Sequence, residues 1–194
     1  MNKILKKLLL TIILILAVNL LPYLLEENIK ASPPPIKVPR HVFKGDIDNL
    51  IDSIANEETG NIKVYPHAWD TVNYLHMYGR FQFSKTALID IGVDTTKSSL
   101  NYFLKHPKFQ KVCMKNLIQR NLVILNMYVN YKPYLGTQIN GVTITLSGLL
   151  AACHLGGGGA VKAFLYSDGK NNASDGHDNI GDYISKFGNY YVHI

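Results

Sequence analysis

The sequence predicts a mainly helical α+β domain that follows an N-terminal export segment. Apolar residues recur at helical spacing in several segments of residues 46–194, and residues suited to helix starts precede these segments. Residues 60–78 are rich in Tyr, His and Asn without a sustained period, which indicates a small irregular or β lobe. With 194 residues, 47% hydrophobic and 18% charged, the chain fits one ordinary globular domain.

Residues 1–31 have the features of an export signal. Three lysines precede an apolar run from Leu8 to Val18, which continues more weakly to Leu25. Ala31 ends a poor cleavage site, so a cleaved signal peptide and an uncleaved inner-membrane anchor both stay open. In either case the lysines stay cytoplasmic and the domain is exported, to the periplasm or cell envelope.

Residues 32–45 form a predicted tether. Ser32-Pro33-Pro34-Pro35, with Pro39 beyond it, favours an extended and stiff conformation over a helix. Without residues 1–31, the chain has 16 basic and 12 acidic residues, a net charge of +4. This excess is mild and scattered, so no nucleic-acid partner is expected. It suits an anionic polymer such as peptidoglycan, or simply a soluble surface.

Capping residues and apolar periodicity predict the helices in order. Asp46 and Ser84 stand as N-caps, Pro107 occupies a first-turn position, and Thr145 or Ser147 precedes a buried segment that ends in four glycines. A short extended piece is expected at 143–145, and 107–130 is expected to hold the central core helix. The predicted helices cover about 47–58, 85–91, 97–104, 107–130, 149–155, 160–166 and 180–187.

Glu58 is the strongest candidate for a catalytic residue. On a helix, with about 100° per residue, it lies about 30° from the centre of the apolar stripe, whereas Glu57 lies about 70° away. The stripe consists of Ile47, Leu50, Ile51 and Ile54. A carboxyl group at the edge of an apolar face loses hydration of its charged form and can hold a proton near neutral pH. Such a group can protonate the oxygen of a glycosidic bond.

Four segments, in this order, resemble the lysozyme-like lytic transglycosylases, most closely a compact branch of phage- and secretion-associated muramidases. They are Glu58-Thr59-Gly60, GRFQFSKTAL at 79–88, GLLAACHLGGGGAVKAFL at 148–165 and DYISKFGNY at 182–190. Thr59 stands where the family has a serine after its catalytic glutamate. Residues 79–82 match the family's Gly-Leu-Met-Gln block. In the Ala-Tyr-Asn-Ala-Gly segment, Cys153 and His154 replace the tyrosine and the asparagine.

The resemblance implies a lysozyme-like fold with a sugar-binding groove between its lobes. It also implies cleavage of the β-1,4 bond between N-acetylmuramic acid and N-acetylglucosamine in peptidoglycan, without a cofactor. Glu58 would act as acid and then as base, which gives a 1,6-anhydro product. The enzyme would open peptidoglycan for a secretion or envelope machinery. The expected substrate-binding residues are Thr59, Gly79, Phe81, Gln82, His154 and Tyr191.

Other interpretations of the same residues stay open. A hydrolytic lysozyme would need a second carboxylate about 6.5–9.5 Å from the acid, and Asp70 is the candidate. A non-catalytic peptidoglycan-binding or assembly component is a further alternative, since the third segment departs from the family pattern. A cysteine amidase is disfavoured, because the adjacent Cys153 and His154 point to different faces of a helix.

No metal site is expected. The polar loop 167–179 resembles a calcium loop in composition, but the EF-hand order that starts at Asp168 places Ala173 where glycine is required. Cys113 and Cys153 both fall in apolar helical segments, which favours two separate buried cysteines over a disulfide.

Overall fold

Six α-helices and four short strands provide the regular structure of residues 44–193, the part of the chain that the computed structural model describes. The helices are α1 (Ile47–Thr59), α2 (Lys85–Asp90), α3 (Lys97–Lys105), α4 (Pro107–Ile124), α5 (Leu146–Tyr166) and α6 (Ile180–Lys186). The strands are β1 (Lys44–Gly45), β2 (Gln138–Ile139), β3 (Val142–Thr143) and β4 (Val192–His193). The mainly helical prediction is confirmed. The export segment 1–31 and nearly all of the tether lie outside the described residues.

The strands form two small antiparallel sheets. β1 pairs with β4, with Gly45 opposite Val192, so the two ends of the domain meet. β2 and β3 form a hairpin whose turn residues Asn140 and Gly141 have φ values of 49° and 78°. This Asn-Gly turn has the positive φ at both positions that a tight hairpin favours.

Helix starts follow the predicted caps, with one correction. Ser84 accepts a hydrogen bond from the Ala87 N–H, and the Thr145 hydroxyl, rather than Ser147, accepts one from the Gly148 N–H. Asp46 precedes α1, but its carboxylate accepts from the Tyr191 N–H at 3.3 Å and makes no cap hydrogen bond. Its side chain therefore ties the start of α1 to the C-terminal segment.

The central helix of the core is α5, not the segment 107–130. Leu149 to Cys153 are all buried, and α5 packs against both α4 and α6. The predicted core helix ends at Ile124 and widens into a π-helical turn at Leu125–Val129. Within that turn Met127 and Tyr128 are exposed. The apolar residues of this segment are therefore not all buried.

The glycine run does not separate two helices as predicted. α5 continues through it with a local break at Gly157, where φ is 72° and ψ is 169°. Gly158 packs directly against Ile124, with no room for a Cβ atom. Among the described residues, α5 is the one helix long and apolar enough to cross a membrane. Half of that apolar window is buried inside the domain, as is typical of a core helix.

The approach of α5 to α6 generates a prediction about stability. A Cβ atom on Gly148 would overlap the Ile184 carbonyl oxygen and lie 3.0 Å from its Cα. We expect Gly148→Ala to lower the free energy of unfolding by about 2 kcal/mol, because backbone atoms cannot yield locally. Urea denaturation followed by circular dichroism measures this change.

Gly159→Ala is the matched control, since nothing lies within 4 Å of its Cβ position. This variant should be as stable as wild type or more stable by about 0.5–1 kcal/mol, because alanine favours helix. Equal stability of the two variants would contradict the close approach at Gly148.

Candidate functional site

Glu58 lies on the last turn of α1 and faces inward, as its position on the apolar stripe predicts. Its side chain is 19% exposed. Glu57 points elsewhere and accepts a hydrogen bond from Lys186 Nζ at 2.7 Å. Burial acts to lower the pKa of Lys186, but hydrogen bonds to Glu57 and Asp178 outweigh it and raise that pKa. Lys186 thus pairs with Glu57 at the surface, whereas the Glu58 side chain points toward the interior.

Two adjoining cavities meet at Glu58. They have volumes of about 480 Å³ and about 400 Å³ and share Glu58, Asn73 and Gln82 as lining residues. We call the two together the Glu58 groove. The first cavity is otherwise lined by Thr59, Val64, Tyr65, Pro66, His67, Ala68 and Thr71. The second is otherwise lined by Tyr74, Leu75, Met77, Phe83, Ser84, Ala87, His154, Leu155, Asp175 and His177.

The Glu58 carboxylate is held through one oxygen. The buried hydroxyl of Tyr183, on α6, donates a hydrogen bond to Oε1 at 2.7 Å. Burial, and then the negative charge of Glu58, raise the pKa of Tyr183 well above its ordinary range, so this group stays a proton donor. His154 Nε2 lies 3.4 Å from the same oxygen. Within the described residues, Glu58 Oε2 has no hydrogen-bond partner.

His154 reaches the groove from α5, as the resemblance implied. Its side chain is 6% exposed, and Nε2 lies 3.0 Å from the Phe81 carbonyl oxygen. Because a carbonyl only accepts, Nε2 carries a proton and donates it. Nδ1 is buried without a hydrogen-bond partner among the described residues. The ring is therefore fixed with its Nε2–H between Phe81 and Glu58.

Thr59 and Gln82 also line the groove. The Thr59 hydroxyl lies 3.1 Å from the carbonyl oxygens of Ala55 and Arg80 and can donate to either. Gln82 has a left-handed backbone with φ of 48°, and its Nε2 donates to the Gly79 carbonyl at 2.7 Å. That bond leaves the amide oxygen of Gln82 available as an acceptor.

Two expected substrate-binding residues are instead structural. Phe81 is completely buried, and its ring packs edge-on against Trp69 and Phe83, so it does not stack on a ligand. Gly79 is buried with φ of 68°, and a Cβ atom there would overlap the Gln110 side chain. Both predictions were wrong for the same reason, because Gly79 and Phe81 lie on the core side of the 79–83 turn.

Tyr191 and Asp70 do not line the Glu58 groove. Tyr191 is 66% exposed beside β1, and its carbonyl accepts from the Asp46 N–H at 2.8 Å. Asp70 is exposed at the end of a short 3₁₀ turn, and its carboxylate lies 3.9 Å from His67 Nδ1. Neither position supports the groove contact that was expected of it.

Sequence reasoning missed Tyr183 and Asp175 as groove residues. Tyr183 and its neighbour Ile184 are both buried in α6. A single tyrosine among the buried residues of a helix is the sequence feature that could have indicated a groove residue. Asp175 lines the second cavity, and a backbone hydrogen bond from the His177 N–H lowers its pKa. Tyr74, 87% exposed, stands at the edge of the second cavity.

The two cysteines are buried free thiols. Burial raises the pKa of Cys113 and of Cys153 to about 12. Within residues 44–193, no three His, Cys, Asp or Glu side chains are grouped so that they could hold a metal ion. The raised pKa and the burial leave both cysteines as neutral thiols in the folded protein.

The groove offers a carboxyl group, a fixed phenol, an amide oxygen and exposed apolar surface. In the part of the chain that the structure describes, no Lys or Arg side chain lines it. The basic excess of the domain therefore lies outside the groove, which suits an uncharged polar ligand such as a sugar. No protein-family model, no curated protein and no solved structure matches the chain.

The buried thiols generate a prediction about reactivity. With a pKa of about 12, about one thiol in 10,000 is ionised at pH 8, and burial blocks access. We expect no iodoacetamide adduct on the native protein at pH 8 and two adducts after denaturation, measured by intact mass. Rapid labelling of Cys153 in the native protein would contradict this expectation and would restore a thiol mechanism.

Proposed function

We propose that the chain is an exported peptidoglycan lytic transglycosylase with a lysozyme-like fold. It cleaves the β-1,4 bond between N-acetylmuramic acid and N-acetylglucosamine and leaves a 1,6-anhydro end. One observation carries the proposal: a largely buried carboxyl group, Glu58, lies where two cavities meet, with Oε1 bound by Tyr183. A single carboxyl group is what this reaction requires.

The first step is proton donation by Glu58. Tyr183 donates to Oε1, so Oε1 acts as an acceptor and the proton of the neutral acid sits on Oε2. Oε2 then delivers this proton to the glycosidic oxygen as the C1–O bond breaks. The Tyr183 hydroxyl stabilises the carboxylate that remains.

The second step returns the proton to Glu58. The carboxylate removes the proton from the C6 hydroxyl of the muramoyl residue, and the C6 oxygen bonds to C1 of the same sugar. The electron pair released in the first step stays on the departing N-acetylglucosamine oxygen, which already holds the first proton. Glu58 ends as the neutral acid, and no water is consumed. His154 Nε2 lies 3.4 Å from Oε1, beside the carboxyl group.

Sugar binding is assigned to the walls of the groove. The free amide oxygen of Gln82 can accept a hydrogen bond from the N–H of an acetamido group. Tyr65, Tyr74 and Leu75 present exposed apolar surface along the two cavities. Aromatic and aliphatic faces of this kind cover the C–H faces of pyranose rings. The export segment fits this substrate, because peptidoglycan lies outside the inner membrane.

A hydrolase is the second candidate, and one observation favours it. Asp175 lines the second cavity together with Glu58, and its lowered pKa keeps it ionised. A carboxylate on the opposite side of the sugar can activate water. Asp175 would then take the role that the sequence suggested for Asp70. The product separates the two candidates, since hydrolysis leaves a reducing end.

The main test is mass spectrometry of the sugar products. The full chain in non-ionic detergent, as wild type and as Glu58→Gln, is incubated with purified peptidoglycan. We expect 1,6-anhydromuropeptides from wild type alone, because the amide cannot supply a proton. Reducing-end products would instead favour hydrolysis, with Asp175→Asn as the next variant. No product from wild type would contradict enzymatic function and leave a binding or assembly role.

Tyr183→Phe tests how the carboxyl group is held. A hydrogen bond to a charged group contributes about 1.5–3 kcal/mol, so we expect kcat to fall about 10–100-fold. Tyr166→Phe is the control, because it removes a hydroxyl that donates to the Val129 carbonyl at 2.9 Å and does not line the groove. Equal kcat values for the two variants would remove Tyr183 from the mechanism.

A further inference from the structure

Arg80 is a buried charge directly behind the site. Its side chain lies in the 79–83 turn and the residue is 4% exposed. The family block that this turn resembles has leucine at the same place, so the guanidinium is a feature of this chain. A buried charge is costly unless it is fully hydrogen-bonded. The contacts of Arg80 therefore indicate what the charge is for.

Three of those contacts hold the last turn of α1. Nη2 donates to Asn56 Oδ1 at 2.6 Å, and Nη1 donates to the Gly60 carbonyl at 3.0 Å and lies 3.2 Å from Thr59 Oγ1. These partners flank Glu58 on both sides in the sequence. The carbonyl end of a helix also attracts a positive charge. The guanidinium thus fixes the turn from which the Glu58 side chain projects.

Further contacts extend from Arg80 to the groove wall. The guanidinium lies over the Trp69 ring, 5.5 Å from its centroid, and the Arg80 N–H donates to Gln110 Oε1 at 2.9 Å. Gln110 Nε2 in turn donates to the Trp69 carbonyl at 2.6 Å. Trp69 is the last residue of the 3₁₀ turn Pro66–Trp69, which carries lining residues of the first cavity. One side chain therefore contacts both the helix that carries Glu58 and the loop that forms the wall.

We propose that Arg80 is a positioning residue, which sets the Glu58 carboxyl group against the wall of its groove. The inference rests on the proposed function, because it assigns Arg80 to the step that Glu58 performs. Arg80 does not line either cavity, so it acts through the α1 backbone and Trp69. A displacement of about 1 Å at a reacting group can cost about 100-fold in rate.

The test compares Arg80→Met, Arg80→Lys and Arg120→Met in the full chain, with wild type and Glu58→Gln in the same assay. Methionine fills much of the space but makes no hydrogen bonds. Lysine keeps the charge but cannot present the planar fork of donors that arginine has. Arg120 is the matched control, a partly buried arginine paired with Asp90 at 2.6 Å and outside the groove lining.

For Arg80→Met we expect kcat to fall about 30-fold with KM within about threefold of wild type. For Arg80→Lys, which serves if the methionine variant fails to fold, we expect a fall of about 10-fold. The chain contains a single tryptophan, so the emission maximum of Trp69 should shift in both Arg80 variants. Arg120→Met should change neither kcat nor the emission.

The outcomes separate this inference from the function on which it rests. An active wild type, an inactive Glu58→Gln and an unchanged kcat in the folded Arg80 variants would overturn the positioning role alone. A fall in kcat that Arg120→Met matches would reduce Arg80 to a general stabilising residue and overturn it equally. A wild type without product would overturn the proposed function and the role of Arg80 together.

Discussion

The close approach of α5 and α6 at Gly148 is the constraint on which the geometry of the Glu58 groove depends. It brings the backbone of Ile184 against α5, and Tyr183 is the residue immediately before Ile184 in α6. His154 projects from the same α5, nearly two turns further on. A larger residue at 148 would move the two helices apart and carry the phenol and the imidazole away from each other. Because Gly148 has no side chain, Tyr183 and His154 can both approach Glu58 Oε1.

The inward orientation of Glu58 could be predicted because it depends on local geometry. Four apolar residues one helical face apart define the buried side, and Glu58 falls beside them while Glu57 does not. The caps at Ser84 and Thr145 were equally local. Tyr183 could not be found in this way, since it meets Glu58 across 125 positions of sequence. Asp46 is a third case, because its carboxylate is suited to cap α1 but accepts a hydrogen bond from the distant Tyr191 N–H instead.

The 79–83 turn shows why a motif does not reveal which side chains face a ligand. Phe81 was expected to bind substrate, yet Phe81 and Phe83 are both completely buried. Gln82, which has a left-handed φ, turns out toward the groove, while Phe81 and Phe83 on either side of it stay inside. The same turn places the backbone carbonyl of Phe81 against His154 and the side chain of Arg80 beneath α1. A four-residue block therefore contributes a groove-lining amide, a carbonyl acceptor and a buried charge.

The pairing of β1 with β4 brings the first and last described segments of the domain together. The chain enters and leaves through two hydrogen-bonded backbone segments, and the Asp46 carboxylate binds the backbone just before β4. Because the ends are already adjacent, a short linker between them would add little loop entropy. A circularly permuted chain, with the present ends joined, could therefore keep the same packing of its helices. New ends could be opened in an exposed loop, and helix α1, which carries Glu58, would then lie in the interior of the sequence rather than near one end of the domain.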